Sequence, residues 1–278
     1  MINYTSKFFN LVLLRISDIK LHENTEFNRL RNIYDRIAGS RFLMNPVIVG
    51  RINNGLILID GANRLSSLRE IGCKLVIAQV IDYTQKKIKL RNWDHLIYDI
   101  NLDCFKFFFA EMKLGFAGVR HSEGEAIMKN KLNSLMISDI ENNRSVLVSL
   151  PAGFNKMLYV LNSFTKFYFG KYEFDRSEEE ITLGDLKKYS RRKGVLVEFP
   201  RFSKEQIVKI ACGKNKLPAG ISRHILDNRV LHVRYEINKL KEDSGIEQKN
   251  NDLRKYLLNK IDNNKVRQYS ESVIVFDE

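Results

Sequence analysis

The sequence predicts an α/β fold of the α+β kind, and three observations carry that prediction. Aliphatic runs of strand length alternate with segments of helical period through the first ninety residues. One of these runs ends in an acidic residue and a glycine and passes at once into a helical pattern. The chain has 278 residues, 44% of them hydrophobic and 10% aromatic, enough to bury a sizeable core.

The elements follow in order. Leu11 to Ile16 is an apolar run of strand length, and Phe27, Leu30, Ile33, Tyr34 and Ile37 recur at helical spacing up to Gly39, a natural stop. Pro46 to Gly50 and Leu56 to Asp60 flank Asn53-Asn54-Gly55, whose residues tolerate the positive φ of a tight hairpin. Leu65, Leu68 and Ile71 line one face of a short helix closed by Gly72, and Leu75 to Val80 returns to strand character. Beyond Ile100, Phe105 and Phe107 to Phe109 predict a buried helix and Phe154 to Phe169 an amphipathic one. Val146 to Leu150 and Val195 to Phe199 read as strands. The acidic stretch Asp175 to Glu180 and the basic stretch Lys187 to Lys193 read as solvated surface. Ser203 and Gln206 have capping-box spacing before a helix at Ile207 to Cys212. A strand at Val230 to Ile237, a polar helix around Gln248 to Ile261 and a strand at Val273 to Phe276 complete the reading. The expected division is 1–99 and 100–278, the second part an α+β lobe.

Charge and cysteine content narrow the function. Forty-six basic against 33 acidic residues give +13, which attracts polyanions, nucleic acid and phosphorylated small molecules alike. Cys73, Cys104 and Cys212 are odd in number and widely spaced, against a disulfide framework or a zinc cluster. His121 and His232 have no partners at metal-ligand spacing in the sequence. Charged or amide residues interrupt every apolar run well short of a membrane span, and Asn10 splits the apolar opening of the chain. A cytoplasmic protein without membrane contact is expected.

The stretch Ile57 to Arg69 carries the most chemistry. A helix start exposes unpaired N–H groups and a partial positive charge, so a phosphate can sit there, with Gly61 permitting close approach. Arg64 offers a planar cation, and Asp60 offers a carboxylate to Mg²⁺. The same Asp60 can equally cap the helix while Arg64 lies on the surface.

With Asp60-Gly61-Ala62-Asn63-Arg64 followed by Leu68 to Gly72 and Cys73-Lys74, the chain resembles the ParB/sulfiredoxin-like superfamily. Within it, the chain resembles the free L-serine kinases, including the type that supplies O-phosphoserine for siderophore biosynthesis. Three further segments match in order: His22-Glu23 after the first strand, Trp93 in Asn92-Trp93-Asp94-His95, and Pro218-Ala219-Gly220-Ile221-Ser222-Arg223-His224. The stretch Tyr269 to Glu278 looks like the family's closing strand. The match is weakest between Ile100 and Pro200. Archaeal members carry His-His inside the turn where this chain has Ala62-Asn63, and Asn63 can hydrogen-bond but carries no charge.

The resemblance implies a ParB/sulfiredoxin-like nucleotide-binding domain over 1–99 and phosphoryl transfer from ATP or ADP, with Mg²⁺, to the hydroxyl of free L-serine. It assigns Glu23 as catalytic base, Asp60, Gly61, Ala62, Asn63 and Arg64 to nucleotide and phosphate, and Asp60 to the metal. Trp93 becomes a wall of the serine pocket, and Ser222, Arg223 and His224 contact serine or the transferred phosphate. A nucleotide-dependent DNA-binding regulator is the alternative, since ParB-like domains also bind CTP and DNA. No helix-turn-helix pattern follows the N-terminal part, however. A sulfiredoxin-type reductase needs a reactive Cys in the turn, where Ala62 and Asn63 stand.

Overall fold

A computed structural model describes residues 10–53, 55–131, 133–178, 182–189 and 192–269. The first part runs β1 (Leu11–Arg15), β2 (Ile19–Lys20), α1 (Phe27–Ala38), β3 (Phe42–Leu43), β4 (Val47–Ile52), β5 (Gly55–Asp60), α2 (Ala62–Glu70) and β6 (Leu75–Asp82). The middle continues with β7 (Lys89–Tyr98), α3 (Leu102–Glu111), β8 (Phe116–Val119), α4 (His121–Asn130), β9 (Ser134–Asp139), β10 (Arg144–Ser149) and α5 (Phe154–Tyr168). Then follow β11 (Phe174–Glu178), α6 (Leu183–Tyr189), β12 (Gly194–Glu198), α7 (Lys204–Cys212), β13 (Ser222–Ile225), β14 (Tyr235–Glu236) and α8 (Ile246–Asp262).

The strands form two main sheets. The first has the order β1-β6-β4-β5-β2, mixed in direction, and β4 and β5 pair antiparallel, closing at Ile52↔Gly55. The second has the order β11-β7-β12-β9-β10-β8, and β13 adds to β7 through Ser222↔Asn92, Arg223↔Arg91 and His224↔Leu90. Strand β7 therefore meets β13 along its first half and β12 along its second, and Trp93 sits where one pairing gives way to the other.

Two cores explain the layers. On one face of the first sheet, Leu58, Leu65, Leu68, Val76 and Ala78 pack with Val233, Tyr235, Ile237, Leu240 and Leu253, so the segment after residue 230 returns to cover it. On the other face, Ile48, Ile57 and Ile59 join the large core of the second sheet, built on Phe105, Phe109, Phe164 and Tyr168. A strand beginning at Lys89 thus pairs within the second sheet, and residues past 230 pack on the first.

Several readings change. Phe107 is 68% exposed while its neighbours are buried, because the core-facing side of α3 takes Phe105, Phe108 and Phe109. The acidic stretch is not simply solvated: Phe174 to Glu178 forms β11 on the edge of β7, with Ser177 buried. The expected strand at Val230 to Ile237 shrinks to Tyr235–Glu236, because His232 and Arg234 adopt positive φ and break the extended run. The strand expected at Val273 to Phe276 lies outside the described residues, as does all of the closing segment beyond Tyr269. Ser203 and Gln206 form the expected capping box of α7.

Candidate active site

The site forms where β2, β5 and the loop leading into β13 converge. After β2 the backbone pairs with residue 217: Leu217 N–H donates to His22 O at 2.9 Å and Asn24 N–H to Leu217 O at 2.8 Å. This short parallel bridge, between residues nearly two hundred positions apart, sets Glu23 against the 218–224 loop. The Glu23 carboxylate then accepts from Gly220 N–H at 3.0 Å and from Ser222 N–H at 2.6 Å, one bond to each oxygen. Each oxygen keeps a lone pair for a further donor.

His22 links this cluster to the Asp-Gly turn. Its Nδ1 lies 2.9 Å from Leu58 O on β5 and its Nε2 2.7 Å from Ser222 Oγ. Burial pushes its pKa down, partly opposed by the Glu23 charge. Two residues beyond Leu58, the Oδ2 of Asp60 accepts from Arg64 Nη2 at 2.9 Å and from Arg229 Nη1 at 3.0 Å. Arg229 also donates to His224 O at 3.2 Å.

The turn itself is built for close approach. Gly61 caps α2 with φ +99°, and a Cβ there would lie 2.9 Å from Val47 Cγ1 and 3.0 Å from an Arg64 nitrogen. Ala62 begins the helix, half-buried. Asn63 follows, and its buried Oδ1 has no hydrogen-bond partner among the described residues. An orphaned acceptor beside a helix N-terminus is a polar group waiting for a donor.

Trp93 and Arg223 face each other, the guanidinium carbon 4.3 Å from the ring centroid. Trp93 N–H donates to Ile221 O at 2.7 Å, tying the strand to the loop. His224 differs from the expectation. It is 3% exposed, its Nε2 lies 2.9 Å from Tyr83 Oη, and burial holds its pKa well below the usual value. Ser222 and His224 share one face of β13, both against His22, and Arg223 takes the other; the His224 ring lies buried beneath the loop while Ser222 and Arg223 are half-exposed.

Sequence reasoning missed the braces. His95 is fully enclosed between Tyr168 Oη (2.6 Å) and Gly220 O (3.1 Å), and burial pulls its pKa down to about 3. Arg176 pairs with Glu26 at 2.8 Å and lies directly under Gly220, where φ is +70° and any Cβ would strike the guanidinium. Arg229, Tyr83 and Arg176 carry no spacing signal relative to the turn, and the segments that become β7 and β11 were not read as strands.

No family model matches the sequence. The ATP-dependent L-serine kinase SbnI of Staphylococcus aureus is 26% identical over 271 residues, covering 97% of this chain and 98% of that protein. An ATP-dependent L-serine kinase of Staphylothermus marinus is 30% identical over 84 residues, 30% of this chain and 33% of that protein. Among solved structures, C-terminally truncated SbnI from S. aureus superposes with TM-score 0.69 at 20% identity, over 91% of this chain and 97% of that one. A free serine kinase in complex with AMP superposes with TM-score 0.67 at 16% identity, over 83% and 93%.

Proposed function

We infer that this chain belongs to the free L-serine kinase family and transfers a phosphoryl group from ATP or ADP to the hydroxyl of free L-serine, giving O-phospho-L-serine. The observation that carries the reading is the Glu23 carboxylate, held by two backbone N–H groups against the loop that presents Ser222 and Arg223. Relatives along the whole chain and along part of it are L-serine kinases, one of them ADP-dependent, which keeps both donors in play. The DNA-binding alternative gains no support from these likenesses.

Phosphoryl transfer needs positioning and charge neutralisation more than covalent chemistry. The serine oxygen forms a bond to the terminal phosphorus, the bond to the leaving nucleotide breaks, and the hydroxyl proton passes to Glu23. Arg223, stacked on Trp93, is placed to hold the serine carboxylate in a planar, two-pronged contact. The start of α2 receives phosphate: Gly61 lets oxygens near the backbone, Ala62 and Asn63 offer their N–H groups, and Arg64 and Arg229 supply charge.

Mg²⁺ fits this arrangement in a restricted way. Both arginines take Oδ2 of Asp60, and Oδ1 has no hydrogen bond among the described residues. One carboxylate oxygen completed by phosphate oxygens and water is a usual Mg²⁺ environment, and the ion would neutralise phosphate charge there. The proposal extends to a cytoplasmic enzyme whose product feeds siderophore assembly. Three free cysteines suit a reducing compartment.

The direct test incubates pure protein with serine, Mg²⁺ and either ATP or ADP and detects phosphoserine by mass. No phosphoserine with either nucleotide sinks the assignment.

A further inference from the structure

Outside this site, three side chains converge between α4 and β12. His121 and Glu125 stand one helical turn apart on the same face of α4, and Glu198 ends β12 beneath them. His121 Nε2 lies 2.9 Å from Glu198 Oε2, and one ligand atom from each of the three residues falls within 4.8 Å of the others. The sequence hides this group, because Glu198 is 73 residues beyond Glu125 and only the fold brings them together.

The group is partly withdrawn from water. The His121 and Glu198 side chains are 21% and 15% exposed. Asp94 and Arg201 line the same small cavity as Glu125 and Glu198. Two half-buried carboxylates beside one imidazole present the oxygen and nitrogen donors that a divalent cation takes. Charges taken from water persist only when they are compensated. The cavity against Glu125 and Glu198 has a volume of about 10 Å³, room for roughly one water-sized particle.

We propose that His121, Glu125 and Glu198 bind a divalent transition-metal ion, with Zn²⁺ the best match. One imidazole nitrogen and two carboxylate oxygens at about 2.0–2.2 Å, completed by water, make a familiar four-coordinate zinc set. The imidazole binds as the neutral ring, so a proton on Nε2 leaves to solvent as the ion replaces the His121–Glu198 hydrogen bond. The ion then clamps α4 to the end of β12. The next residues along the chain, Phe199 and Pro200, accept through their carbonyls from Asn92 Nδ2 at 2.8 and 2.9 Å, directly before Trp93. The site is structural and lies behind the strand that presents Trp93.

The test uses the full chain without an affinity tag, stripped with chelator and free of nucleotide. Zn²⁺ is titrated calorimetrically, and bound metal is counted after gel filtration. The expected result is about one Zn²⁺ per chain and a raised Tm. Glu125→Gln and His121→Gln, each with unchanged far-UV circular dichroism, should each weaken binding at least about tenfold and abolish the Tm rise. A variant with Cys73, Cys104 and Cys212 all changed to Ser should bind as the parent does. The assignment fails if Glu125→Gln binds as tightly as the parent, if only the cysteine variant loses the ion, or if Mg²⁺ binds this group better than Zn²⁺.

Discussion

Replacing Glu23 by Gln separates the proposed role of its carboxylate as base from the tether that the structure shows. As a base, Glu23 contributes to the chemical step alone, and such contributions are typically about 10²- to 10⁴-fold in rate. As a tether, it accepts from Gly220 N–H and Ser222 N–H, one on each oxygen. Gln keeps only one acceptor oxygen and turns an NH₂ donor toward the other N–H. One charge-assisted bond, about 1.5–3 kcal/mol, is therefore lost from the loop. If that loss falls wholly on serine binding, KM for serine rises by roughly 10- to 150-fold. With the phosphates at the Asp60 turn, as proposed, the nucleotide KM should stay within a factor of about three. Steady-state assays varying each substrate, with mass detection of phosphoserine, resolve the two effects: kcat falls at least about a hundredfold and serine KM rises. A Glu23→Gln enzyme that keeps kcat within tenfold of the parent while serine KM climbs would leave Glu23 a tether only. The proton would then leave late, to a phosphate oxygen.

Asp60→Ala should abolish Mg²⁺-dependent turnover with an unchanged circular dichroism spectrum, and undiminished activity at saturating Mg²⁺ would remove Asp60 from the metal. Gly61→Ala forces a side chain into φ +99° against Val47, costing about 1–2 kcal/mol. That should lower Tm by roughly 2–8 °C and raise nucleotide KM, both readable by calorimetry and kinetics. Arg223→Ala should raise serine KM far more than nucleotide KM, since the guanidinium is positioned by Trp93, and an equal effect on both would detach it from serine. Stability should also fall in acid. His95 is held neutral with a pKa near 3, so between about pH 6.5 and 3 the unfolded chain binds a proton that the native chain refuses. Its share of stability is complete above pH 6.5 and shrinks by about 1.4 kcal/mol per pH unit below it, and His22 and His224 shift in the same direction. Urea unfolding at pH 7.5 and 5.5 measures this, and equal free energies at the two values would contradict it.

The Asp60 turn was legible because its chemistry is local: strand, glycine and helix start are contiguous, and the structure adds only Arg229 and the orphaned Asn63 oxygen. Glu23 and the 218–224 loop were legible as separate matches, but not the bond between them, since a parallel bridge to Leu217 leaves no periodic trace. Residue types alone do not show that the His224 ring is buried, because a four-residue strand is too short to reveal which face turns inward. The acidic stretch misleads for a related reason: Asp175 is exposed, yet the segment that carries it backs onto a strand edge that needs a partner. His95 and Arg176 were invisible because a buried polar brace is defined by what surrounds it, and those surroundings come from Tyr168, Gly220 and Glu26.

The return of residues 233 to 253 onto the first sheet has a consequence during synthesis on the ribosome. The first sheet is complete in sequence at Asp82, but the face bearing Leu58, Val76 and Ala78 waits for Val233 to Leu253 to cover it. At about 5–20 residues per second that wait lasts roughly 9–34 s, during which an aliphatic face is open to other nascent chains. The grip on Glu23 also waits, because the backbone that supplies it is not made until Leu217 to Ser222 emerge. A nascent chain halted before that point holds Glu23 and the Asp60 turn without the loop that closes on them. With Glu23 as the proposed base, phosphoserine production begins only once residues 217–222 have folded back onto the start of the chain.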